Sequence, residues 1–232
     1  MVNDSKRQIS DRKFTREELG LPETGFVFCC FNNSYKVTSK SFDGWMRILQ
    51  QVPGSVLWLA ENNSISVANL RKEAVARNIS PDRLVFAKRM ESLADHLARH
   101  RLADLFIDTL PFNAHTTASD ALWAGLPVLT CIGTTFAGRV AASLLKAIEL
   151  PELITSTQED YEAMAVELAT TPEKIMAIRQ KLDQNRVSTP LFNSMLFARN
   201  IENAYIKMFN MYHANTGPEH IFVDGLSAFH SI

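Results

Sequence analysis

The sequence predicts an α/β fold, a doubly wound parallel sheet over residues 25–155 with extra helices after it. Three observations carry this reading. Short apolar runs at 26–31, 55–60, 83–87, 104–108 and 127–132 lack the strict alternation of a strand with one wet face, as expected of strands covered on both sides. Each run is followed by a stretch with apolar residues at helical spacing, and Gly or Pro punctuates the joins, which is the βαβ rhythm of a parallel sheet between helical layers. The chain is also long enough: at 232 residues and 46% hydrophobic residues it can remove roughly 70–75% of its unfolded surface from water.

In chain order, residues 1–24 are a polar, basic lead-in, in which Thr15 and Glu18 form a capping-box pattern closed by Gly20. The first helical stretch, 39–52, places Phe42, Trp45, Leu49 and Val52 on one stripe and stops at Pro53 and Gly54. Similar stretches follow at 66–78, 91–101, 117–125 and 136–148. Past Pro151 the strands are expected to cease, leaving helices at 157–169, 172–186 and 192–213, a second unit over 156–213 that packs on the sheet or on something absent. Ser156 and Glu159 offer the first of these a capping box, and Pro172 suits the first position of the second. The tail, 214–232, mixes Gly217, Pro218 and Gly225 with scattered aromatics and reads as weakly ordered.

Composition narrows the function classes. Lys plus Arg total 24 against 25 for Asp plus Glu, a net charge of -1, so no general field draws the protein to nucleic acid or to an acidic membrane. Any anion site must be local. Cys29, Cys30 and Cys131 lie in apolar segments without metal-ligand spacing and are expected to be buried free thiols. The longest apolar run, Phe26 to Phe31, is far short of the ~20 residues that cross a bilayer, and the polar start is no signal peptide. A cytoplasmic location is the expectation.

Ligands of an open parallel sheet bind where strands turn into helices at the carboxyl edge. After the fourth run, His115, Thr116 and Thr117 crowd a helix start, and Gly125 and Pro127 mark its end. Free amides and the helix dipole favour a phosphate there by roughly 0.3–2 kcal/mol. The plainer alternative makes Thr117 a helix cap and Asp120 the other half of a capping box. After the first run, Asn32, Asn33 and Lys36 form a second polar turn: Lys36 is either a phosphate cation or a solvated lysine, and both asparagines suit turns. After the third run, His96 and Arg99 offer planes on which a base can stack, or are ordinary surface groups of a helix. Asp104 and Asp108 bracket a strand at a spacing that makes no metal clamp, and neither zinc, serine-elbow, Walker-loop nor dinucleotide motifs occur, so no metal is expected.

Six segments in order resemble one family: Phe31–Lys36, Val52–Leu59, His96–Arg99, Leu102–Thr109, Asn113–Pro127 and Arg139–Ser143. Together they resemble the protein O-linked N-acetylglucosamine transferase family, which includes the plant SPINDLY-like proteins. The resemblance implies a GT-B glycosyltransferase, whose two Rossmann-like domains face each other across a cleft, and this chain looks like the C-terminal, donor-holding half. Residues 1–24 would be the connector from an N-terminal catalytic half that normally follows tetratricopeptide repeats. The implied activity is inverting, metal-independent transfer of N-acetylglucosamine from UDP-N-acetylglucosamine to Ser or Thr hydroxyls of proteins, with no cofactor.

Carried over residue by residue, His115, Thr116 and Thr117 would contact the diphosphate with Asn33, and Lys36 would be the catalytic cation that meets its charge. Asp120 would accept ribose hydroxyls, His96 would stack on uracil and Arg99 would reach its edge. The acceptor protein would be bound through the missing half and repeats. Alone, this half is expected to bind nucleotide without turnover and to have an exposed cleft face free to self-associate. SPINDLY-like relatives that use GDP-fucose are the alternative, and a non-catalytic nucleotide-sugar-binding module is a third reading.

Overall fold

A computed structural model of the chain describes residues 3–223. Six parallel strands form one sheet in the order β3-β2-β1-β4-β5-β6, with β1 at Val27–Cys30, β2 at Val56–Ala60, β3 at Leu84–Ala87, β4 at Leu105–Ile107, β5 at Val128–Cys131 and β6 at Ile154–Thr155. The helices are α1 (Ser39–Gln51), α2 (Ser64–Val75), α3 (Leu93–Arg99), α4 (Thr116–Trp123), α5 (Val140–Ala147), α6 (Gln158–Thr170), α7 (Pro172–Ser188) and α8 (Ser194–His213). This is the doubly wound α/β fold expected from the sequence. The strand order reverses between β1 and β4, and it is outside the carboxyl ends of the strands at such a switch point that the ligand crevice of an open α/β sheet lies.

Two expectations fail locally. Strands do not cease at Pro151, because β6 pairs with β5 through Thr130 and Ile154. A strand of two residues has no period for a sequence to display. The expected Ser156–Glu159 box is displaced by one: Thr157 is the N-cap, accepting from the Asp160 amide at 3.0 Å. Pro172 does stand at the start of α7.

The core is continuous from sheet to helices. Trp45 on α1 is fully buried, and its Nε1 donates to the Tyr161 hydroxyl of α6 at 3.3 Å, which in turn donates to the Asp108 carbonyl at 2.9 Å. The helices after β6 thus close over the sheet next to the end of β4. All three cysteines are free and buried, as expected. The lead-in is packed and not loose: Phe14 and Leu21 are buried, and the Ser10 amide donates to the Ala94 carbonyl at 3.1 Å. In contrast, α8 buries none of its residues, and Phe197, Ile201, Tyr205, Met208, Phe209 and Tyr212 stand exposed along it. Residues 214–223 continue as irregular chain, while 224–232, with Gly225, lie outside the described residues.

Candidate active site

The chain after β4 is organised by a buried carboxylate. Asp108 Oδ1 accepts from the amides of Thr109 (2.7 Å) and Ala114 (2.6 Å) and from Asn32 Nδ2 (3.2 Å), and Oδ2 accepts from the Thr130 hydroxyl at 2.7 Å. The loop is held from outside as well, by the Ser41 hydroxyl on the Leu110 carbonyl at 3.0 Å. Asn113 is fully buried and its Nδ2 donates to the Thr109 carbonyl at 2.8 Å. These bonds fix the path that delivers His115 to the start of α4.

Burial pushes the Asp108 carboxyl up to about 6, despite the bonds from Thr130, Ala114, Thr109 and Asn32 that favour its ionised form. A raised carboxyl stabilises the fold fully below its unfolded value and loses that contribution as pH rises through about 6. His96 and His100, lowered by burial to about 4 and about 3, act in the opposite sense and lose stability as pH falls below about 6.5. Unfolding by urea should therefore show a net stability loss from pH 7 to pH 5. In Asp108→Asn the loss should be steeper by roughly 1 kcal/mol, because the variant lacks the opposing carboxyl. Parallel profiles for the two proteins would contradict the buried, raised carboxyl.

The start of α4 is open. His115 is its N-cap but makes no capping bond, and the first rung runs from the Ser119 amide to the His115 carbonyl at 3.1 Å. The amides of Thr116, Thr117 and Ala118 therefore precede the helical ladder. Ala118 and Ala121 are fully buried, so small side chains let this turn approach the sheet. Gly125, at φ +82°, ends the helix as its sequence position suggested. The capping-box alternative does not hold: the Thr117 hydroxyl donates to Asn32 Oδ1 instead of closing back on the helix, and Asp120 pairs with Arg7.

Lys36 closes the other side of the crevice. Its ammonium donates to the Asn113 carbonyl at 2.9 Å and stands 4.1 Å from the centre of the Phe112 ring. Among the described residues no carboxylate forms an ion pair with it, and burial lowers its pKa while the Asp108 charge opposes the shift. Its positive charge contributes to lowering His115, after burial as the larger cause. Lys36 and the open helix start thus share one field. The His115 ring stacks on Phe112 at 4.9 Å and 20°, and its Nε2 lies 3.4 Å from the Ala137 carbonyl.

The remaining expected residues are distributed as follows. Thr116 is exposed at the helix start. Asn33 is exposed and caps the turn Ser34–Lys36, accepting from the Tyr35 amide at 3.4 Å. The buried neighbour Asn32 is the one tied into the crevice, linking Asp108, Thr109 and Thr117. His96 lies half-buried near the Phe31 ring, with its Nδ1 2.6 Å from Arg99 Nη2. Arg99 does not reach outward: it is buried, donates to the Lys88 carbonyl at 2.7 Å and lies 4.4 Å over Phe31. Arg99 Nε, His100 Nε2 and Trp58 Nε1 are buried with no hydrogen-bond partner among the described residues. Sequence reasoning gave Asp108 and Arg7 no part in this site and placed Asn32 in the polar turn without a contact of its own. The signal available for Asn32 and Asp108 was their place at the ends of β1 and β4, flanking the switch point.

Among the described residues no cluster of His, Cys, Asp or Glu has the geometry of a metal centre, and no helix is long and apolar enough to cross a membrane. The sequence profile of glycosyl transferase family 41 matches residues 6–201. A probable UDP-N-acetylglucosamine–peptide N-acetylglucosaminyltransferase, SEC, of Arabidopsis thaliana is 37% identical over 96% of this chain and 23% of its own length. The UDP-N-acetylglucosamine–peptide N-acetylglucosaminyltransferase of Caenorhabditis elegans is 35% identical over 89% of this chain and 18% of its own. A solved point mutant of the Thermobaculum terrenum O-GlcNAc transferase superposes with a TM-score of 0.78 at 30% identity, over 82% of this chain and 37% of that one. The chain thus spans about a fifth of the length of the curated relatives it matches.

Proposed function

Because this chain belongs to glycosyl transferase family 41, we propose that it is the donor-binding half of a glycosyltransferase that moves N-acetylglucosamine from UDP-N-acetylglucosamine to Ser or Thr hydroxyls of proteins. The observation that carries the reading is the uncapped start of α4 beside the ammonium of Lys36, which has no ion-pair partner among the described residues, at the β1/β4 switch point. An anion with two phosphoryl groups matches both: amides and helix dipole hold one, the ammonium meets the other.

In this reading UDP departs as negative charge grows on its outer phosphate. Donors already in place for that charge stabilise the transition state more than the bound donor sugar, which is what acceleration requires. Lys36 is the cation, and Thr116, Thr117 and His115 line the helix start. No metal ion is needed for charge neutralisation in this scheme. His96, half-buried with its ring centre 5.7 Å from that of Phe31, is the plane for the base. The acceptor protein and the groups that activate its hydroxyl belong to the other half of the enzyme, and the exposed aromatic stripe of α8 supports the view that this half is normally covered.

Calorimetric titration of the chain with UDP and with GDP tests the proposal. UDP should bind and should bind more tightly than GDP. Equal or reversed preference would overturn the UDP reading in favour of a GDP-sugar donor, and no binding of either would remove the nucleotide site.

A further inference from the structure

The polar lead-in reaches the same helix that opens the crevice. Arg7 Nη1 pairs with Asp120 Oδ1, Nη2 donates to the Ser119 hydroxyl at 3.1 Å, and Nε donates to the Asp4 carbonyl at 3.1 Å. Its own carbonyl accepts from Trp123 Nε1 at 2.9 Å, and its guanidinium lies 5.8 Å from the centre of the Phe192 ring. Main chain and side chain of Arg7 are both clamped, so the guanidinium acts as a fixed bracket and not as a mobile surface charge. Asp120 Oδ2 takes no hydrogen bond among the described residues.

We propose that Arg7 is a positioning residue of the donor site: by holding Asp120 Oδ1 it presents the free Oδ2 to the ribose hydroxyls of the nucleotide. This rests on the donor-site reading above. A bidentate-capable, planar guanidinium bridging Asp120 and Ser119 fixes the rotation of the carboxylate, which a lone carboxylate on a helix lacks. Burial raises the Asp120 carboxyl, and the charge and hydrogen bond of Arg7 oppose that rise, so the bracket favours the ionised, accepting form. Residues 1–24 then supply part of the site and are more than a connector.

The test reads the hydroxyl contribution directly. UDP and 2′,3′-dideoxyuridine diphosphate are titrated into the full chain and into Arg7→Ala, and the ratio of their dissociation constants is compared. A hydrogen bond to a charged group gives the intact protein a ratio of about ten- to a hundredfold. In Arg7→Ala the ratio should fall to about threefold or less while the dideoxy compound binds as before. Arg7→Gln reads the same ratio should alanine disturb the packing of the lead-in. An unchanged ratio, with both ligands weakened equally, overturns the proposal and leaves Arg7 a structural tether. Tighter UDP binding in the variant also overturns it, since Arg7 would then be competing with the ribose. If the intact chain binds UDP with no preference over the dideoxy compound, Asp120 itself is removed from the ribose; if it binds neither, the donor-site reading falls and takes this inference with it.

Discussion

Replacing Lys36 with alanine should weaken UDP binding by roughly thirtyfold to a thousandfold and leave uridine within about threefold. The range follows from a unit charge about 4 Å from a phosphate at an effective dielectric near 20, worth up to about 4 kcal/mol, with part lost to water because Lys36 is only half-buried. The ammonium has no carboxylate partner among the described residues and is directed by the Asn113 carbonyl at 2.9 Å, so little needs to rearrange before it can meet an anion. Uridine carries no phosphate and reports any collateral damage to the base side. Calorimetry on both ligands makes the comparison, and Lys36→Arg should recover part of the UDP affinity. Equal losses for UDP and uridine would take Lys36 out of the phosphate site.

A loss of comparable size, in stability, is expected at Trp45. Its indole is fully buried between the sheet and α6 and begins the chain of bonds through Tyr161 to the Asp108 carbonyl. Trp45→Ala removes a large apolar surface, leaves a cavity and strands the Tyr161 hydroxyl with one partner fewer. The cost should be about 3–5 kcal/mol, against the ~5–15 kcal/mol that hold a typical domain together, and it should lower the urea midpoint by about 1–2 M. Tyr161→Phe keeps the ring and should cost only about 1–3 kcal/mol. A Trp45→Ala loss below about 1 kcal/mol would show that α6 is not docked through this side chain.

The fold was legible because its signal is local. Strands β1 to β5 fall within apolar runs, and α1, α6 and α7 lie close to the limits set by spacing and punctuation. Strand β6 was not, since Ile154 and Thr155 define no alternation and owe their pairing to β5. The same division runs through the site. His115, Thr116 and Thr117 could be read as a helix start and Lys36 as a cation on a neighbouring turn, each from a few adjacent residues. Arg7 on Asp120 and Asn32 on Thr117 join residues far apart in sequence, and no local pattern announces such pairs. Arg99 shows the reverse error: a cation near the end of a helix reads as exposed, yet the Phe31 ring and the Lys88 carbonyl draw it inside.

One structure determination bears most directly on the whole reading, that of the chain crystallised with UDP. The two phosphoryl groups should lie within hydrogen-bonding distance of the Thr116, Thr117 and Ala118 amides and of Lys36 Nζ. UDP bound with its phosphates elsewhere, or those amides engaged by the protein's own atoms with the nucleotide present, would contradict it.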